Sequence, residues 1–135
     1  MKLTARRQAR ELALQILFQT EFSAQISVRA LMEVFEESYD NEAIQYADLL
    51  IKGVQEHKAA IDSKIQASSA HWKVERMATI DRNILRIAVY EMKFASEQIK
   101  ENIAINEAVE IAKKYGTTES ASFVNGLLDQ VSKAH

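Results

Sequence analysis

Residues 4–22 read TARRQARELALQILFQTEF. At about 100° per residue, Ala5, Ala9, Leu12, Ala13, Ile16 and Leu17 fall on one broad apolar face, the pattern of an amphipathic helix. Thr4 is placed to cap its start. Two features fall outside that stripe. Arg6, Arg10 and Arg7 project at about 240°, 280° and 340°, one basic arc beside the core face, and Lys2 extends it past the helix start. Leu14 and Phe18 project at about 320° and 0°, nearly opposite the core face. Their spacing along the helix sets them side by side.

The same period recurs down the chain. A second helix is expected over about 27–39, with Leu31, Val34 and Phe35 inward, followed by a YDNE loop. A third covers about 42–58 with a stripe of Ala43, Ala47, Leu50, Ile51 and Val54. Gly53 inside it costs about 1 kcal/mol against Ala, and close helix packing explains it. A fourth uses Ile61 and Ile65 and ends before SSAHW, where Trp72 reads as a core residue more readily than as a stacking platform. A fifth runs from about 78 to 95, burying Ile80, Ile84, Ile87, Ala88 and Val89. A sixth spans about 103–115 and stops at Gly116, read as a left-handed residue just past the helix end. A seventh starts near 118–120 and carries Phe123, Val124, Leu127, Leu128 and Val131. Asn106 and Asn125 read as caps or packing hydrogen bonds. Six or seven helices in 135 residues make an all-α protein, expected as one domain over 1–135.

Composition agrees: there is no proline to interrupt helices and only three glycines to supply turns. The absence of cysteine excludes disulfides, thiolate zinc sites and thiol nucleophiles. His57, His71 and His135 form no zinc-type pair, so no metal is expected. No phosphate-cradling glycine motif and no nucleophile elbow occur. The chain reads as a protein without catalytic residues or cofactor. No apolar run is long enough to span a membrane. The basic start is followed by an amphipathic helix without a small-residue cleavage site, so it is not a signal peptide. A cytoplasmic location is expected.

With 17 Lys+Arg against 19 Asp+Glu, the chain is slightly acidic, and the basic arc stands out. Cations at a helix N-terminus oppose its dipole by about 0.3–1 kcal/mol each. Their placement therefore points to a use, either gripping the phosphates of a polyanion or forming a solvated face with Glu11 as local partner. Leu14 and Phe18 are either covered by another part of the chain or form a patch for a partner protein. Phe123, just after KKYGTTESAS, is either core or a ring on which an RNA base stacks.

Four strings, ARRQARELALQILFQ, DRNILRIAVYE, INEAVEIAKKYG and SFVNGLLD, occur in this order. Together they resemble the NusB family of bacterial transcription antitermination factors over nearly the whole chain. The resemblance implies two small helical bundles packed against each other and a binding protein that catalyses nothing. It implies pairing with NusE, a small-subunit ribosomal protein that doubles as a transcription factor. The pair would recognise the single-stranded boxA element of ribosomal RNA operon transcripts and help make RNA polymerase termination-resistant. Carried onto this sequence, Arg6, Arg7 and Arg10, with Lys2 nearby, would form the RNA-binding start. Glu119, Ser120 and Phe123 would flank the same RNA surface. Phe18 and Asp81 would face NusE, with Leu14 beside Phe18 on the wheel. Gln8 departs from the family, which often has a third consecutive basic residue there. Two alternatives remain: a helical protein-interaction module without RNA, and the accessory domain of an enzyme that modifies ribosomal RNA. The free protein is expected as a monomer or a weak homodimer.

Overall fold

The computed structural model describes residues 3–23, 25 and 27–134. Lys2 and His135 lie outside the described residues. All regular structure among the described residues is helical: α1 (Leu3–Phe22), α2 (Val28–Phe35), α3 (Asn41–Glu56), α4 (Lys58–Ser68), α5 (Thr79–Val89), α6 (Glu101–Tyr115) and α7 (Ser120–Lys133). Short 3-10 turns occupy Glu36–Ser38 and Val74–Arg76, and a π-helical turn covers Tyr90–Phe94. The chain divides into two compact units at Lys52/Gly53, inside α3.

In the first unit, α1 buries Ala5, Ala9, Leu12, Ala13, Ile16 and Leu17, as its apolar stripe requires. Thr4 lies inside α1 rather than capping it. Leu14 is also buried, at 1% exposure, which corrects its placement on an outward patch. A helix apolar on more than one side packs on more than one side. α2 opens on Ser27, whose Oγ accepts the Ala30 N–H at 3.0 Å, and stops at Phe35. Met32 is its buried residue, and Val34, expected inward, is exposed.

In the second unit, α5 packs on α4, α6 and α7, and α6 lies along α7. Because α5 is central, Asn83–Val89 is buried without a break. Its polar members are satisfied: Arg86 forks onto Asp62 of α4 through Nε at 2.8 Å and Nη2 at 2.9 Å. Asn83 Nδ2 donates to the Thr79 carbonyl at 2.9 Å. Gly53 faces the Tyr90 ring so closely that a Cβ would overlap it, which is the close packing its position predicts. Burial pushes the Tyr90 phenol above its ordinary pKa, with Glu56 and Glu91 adding to the rise.

Gly116 is extended rather than left-handed. It is glycine for another reason: a Cβ there would collide with the Ser120 side chain and the Ala112 carbonyl oxygen.

Candidate nucleic-acid interface

The first unit presents the arginines of α1 in two ways. Arg6 and Arg7 are partly exposed, one turn into the helix. The Arg6 guanidinium sits over the Tyr46 ring of α3, 5.1 Å from its centroid. A ring face attracts a cation and restricts its swing, so Tyr46 holds Arg6 in place without using up its hydrogen-bond donors. Tyr46 was not foreseen from the sequence, since only the packed helices bring it to Arg6. Arg10 differs in burial: it is 2% exposed, while Arg7, like Arg10, has an interaction within the protein. Buried charges are held by partners, so Arg10 is a structural cation and not part of an open basic arc. Farther along α1, Phe18 is half-buried and packs on Phe22 with ring centroids 4.8 Å apart. Phe22 is 69% exposed.

In the second unit, the turn from α6 into α7 brings Glu119, Ser120 and Phe123 together. Ser120 is buried, at 2% exposure, and its Oγ accepts the Thr117 N–H at 2.9 Å. Its buried hydroxyl fixes the turn that carries Glu119 and Phe123. Glu119 is exposed just before the helix, and the Phe123 ring is half-exposed one turn on. The α6 end of this corner carries Lys113, paired with Glu110 at 3.2 Å, and Lys114, 5.3 Å from the Tyr115 ring centroid. Between α6 and α7 runs an open cleft of about 400 Å³ that includes Asn106, Lys113, Ser122 and Asn125. Both asparagines are exposed.

Asp81 stands in the first turn of α5. Its Oδ1 is buried and has no hydrogen-bond partner among the described residues. A desolvated acceptor left without a partner costs about 1–3 kcal/mol.

Among the described residues, no helix is long and apolar enough to cross a membrane, and no cluster of His, Asp or Glu could hold a metal ion.

The NusB family model matches residues 7–133. The chain belongs to the NusB family. The transcription antitermination protein NusB of Bdellovibrio bacteriovorus is 79% identical over 135 residues, spanning 100% of both chains. The structure of T. maritima NusB superposes with a TM-score of 0.86 at 40% identity, covering 96% of this chain and 92% of that one. A crystal structure of antitermination factors NusB and NusE in complex with dsRNA gives a TM-score of 0.86 at 27% identity, covering 99% of this chain and 100% of that one. The family drawn from four short strings is thereby borne out, and so is the all-α fold of NusB proteins.

Proposed function

We propose that this protein is a cytoplasmic transcription antitermination factor. Together with NusE, it binds the boxA element of ribosomal RNA operon transcripts and helps RNA polymerase read through terminators. It acts by binding and carries out no catalysis. The relative from Bdellovibrio bacteriovorus bears the antitermination name, and a structure of the same fold joins NusB to NusE and RNA. The observation that carries the reading on this chain is the pair Arg6 and Arg7, partly exposed at the head of α1, with Arg6 steadied by Tyr46.

Arg6 and Arg7 neutralise phosphates, which fixes the RNA's position without reading its sequence. Phe123 offers a face for an unstacked base, and Glu119 offers acceptors for base amino groups or a 2′-hydroxyl. Ser120 holds the turn that carries them. Two arginines give weak binding on their own, so a second protein is needed to extend the surface and add base contacts. Phe18 and Asp81 meet NusE. The unpaired Asp81 oxygen gains a charge-assisted bond from a basic partner, worth about 1.5–3 kcal/mol.

Calorimetric titration with purified NusE tests this. Asp81→Ala should weaken binding by about 10- to 100-fold, the equivalent of one hydrogen bond to a charged group. Unchanged affinity in Asp81→Ala and Phe18→Ala would remove both residues from the interface.

A further inference from the structure

Trp72, the chain's single tryptophan, does not enter the core. It is 60% exposed in the connection between α4 and the Val74–Arg76 turn. That connection is clipped in place. The Trp72 carbonyl accepts Ser69 Oγ at 2.7 Å and Gln66 Nε2 at 3.1 Å. The same Gln66 accepts the Val74 N–H on Oε1 at 3.0 Å. On the far side of the turn, Arg82 donates to the Glu75 carbonyl at 3.1 Å and the Met77 carbonyl at 3.3 Å. It also reaches Thr79 Oγ1 at 3.4 Å. One braced segment therefore runs from an outward indole to Asp81 and its unpaired carboxylate oxygen.

We propose that Trp72 is the apolar anchor of the NusE-binding surface, continuous with Asp81 along this braced segment. The inference rests on the NusE reading and goes beyond it by naming a contact that Phe18 and Asp81 do not include. Three observations carry it. The indole is 60% exposed and so open to a partner, and interface hot spots are enriched in tryptophan. The backbone beneath it is already ordered, so docking loses little conformational freedom. The charges along the segment are balanced: Lys73 and Arg76 are exposed beside exposed Glu75 and half-buried Asp81, and the Arg82 guanidinium is turned inward to the backbone. An apolar centre with a mixed-charge rim is the anatomy of a protein interface, whereas an RNA track would be uniformly basic.

Because the indole is unique, its fluorescence reads the proposal directly. The intact protein is excited selectively at the indole and titrated with purified NusE, with the signal of NusE alone subtracted. Separate titrations use boxA RNA alone. NusE should shift Trp72 emission to the blue and shield it from acrylamide, and RNA alone should do neither. Trp72→Ala should raise the Kd for NusE about 30-fold by calorimetry, the size of a hot-spot loss. Its helicity should stay intact, since little packing is removed. Gln66→Ala, which keeps the indole but opens the clip, should weaken NusE binding less than Trp72→Ala and speed the decay of Trp72 anisotropy. If NusE binds with normal affinity to Trp72→Ala and leaves wild-type emission unshifted, the inference fails while the NusE reading stands. Should NusE not bind at all, both fail. A blue shift with RNA alone would make Trp72 a base-stacking platform and overturn the proposal.

Discussion

The arginines of α1 make a prediction that separates the wheel from the fold. On a helical wheel Arg6, Arg7 and Arg10 are equivalent; in the structure Arg6 and Arg7 are partly exposed and Arg10 is 2% exposed. Each phosphate neutralised on a single strand contributes about −0.7 to the slope of log K against log salt. Arg6→Ala and Arg7→Ala should therefore each flatten the slope by about 0.7. Between about 50 and 200 mM salt, this amounts to roughly a 2.5-fold smaller loss of affinity per arginine removed. Arg10→Ala should leave the slope unchanged and instead lower stability by about 3 kcal/mol, because it breaks a buried charge from its partners. Tyr46→Ala should mimic part of Arg6→Ala, with a two- to fivefold loss from about 0.5–1 kcal/mol of cation–π interaction, and Tyr46→Phe should not. The assay is fluorescence anisotropy of labelled boxA RNA with the NusE complex over a salt series, alongside urea unfolding of each variant. If Arg10→Ala flattens the slope as Arg6→Ala does and keeps full stability, Arg10 reaches the RNA and the burial argument is wrong.

Four further predictions concern the frame that holds these residues. Gly53→Ala should destabilise by about 1–3 kcal/mol, since overlap with the Tyr90 ring outweighs the gain in helix propensity. Gly126→Ala in α7 has open space at its Cβ and should stabilise by up to about 1 kcal/mol, with both effects read by urea unfolding. Asp62→Ala should cost about 3 kcal/mol by stranding the buried Arg86, the lower end for a broken buried pair because Asp62 keeps some contact with water. Asp62→Ala/Arg86→Met should recover much of that loss in the same assay. Tyr90 is held neutral by a raised pKa, so its contribution is complete below about pH 10, the unfolded value. It is lost as pH rises from there towards the folded value, because only the unfolded chain sheds the proton. The stability difference between wild type and Tyr90→Phe should shrink above about pH 10, and a difference flat with pH would contradict the burial of the phenol.

The helices were legible because their apolar periodicity is strong and nothing interrupts it, and Gly53 announced its close contact by standing inside a helix. What failed lies in contacts that apolar periodicity does not encode. A wheel assigns one inside to each helix, but α1 is buried on more than one side, so Arg10 is buried against expectation and Leu14 takes the covered alternative. Trp72 reads inward on hydrophobicity, while it lies in a connection whose backbone is held by hydrogen bonds from Gln66 and Ser69 that no apolar pattern encodes. Gly116 carried the right location and the wrong role: with Ser120 it shapes the α6–α7 turn, through a close approach and a side-chain cap. The assignment of Asp81 to a partner came from family resemblance, and only the fold shows that one of its oxygens is buried with no hydrogen-bond partner among the described residues. Tyr46 beneath Arg6 left no signal in the sequence, because the contact joins two helices distant along the chain.

The central claim is that boxA recognition requires both this protein and NusE, with Arg7 as a phosphate anchor. Anisotropy with labelled boxA RNA and a scrambled control tests it, using wild type and Arg7→Ala, each with and without NusE. Binding should be weak and unselective for this protein alone, tight and boxA-selective with NusE, and clearly reduced in Arg7→Ala. Equal, weak binding of boxA and scrambled RNA in the presence of NusE, unaffected by Arg7→Ala, would contradict it.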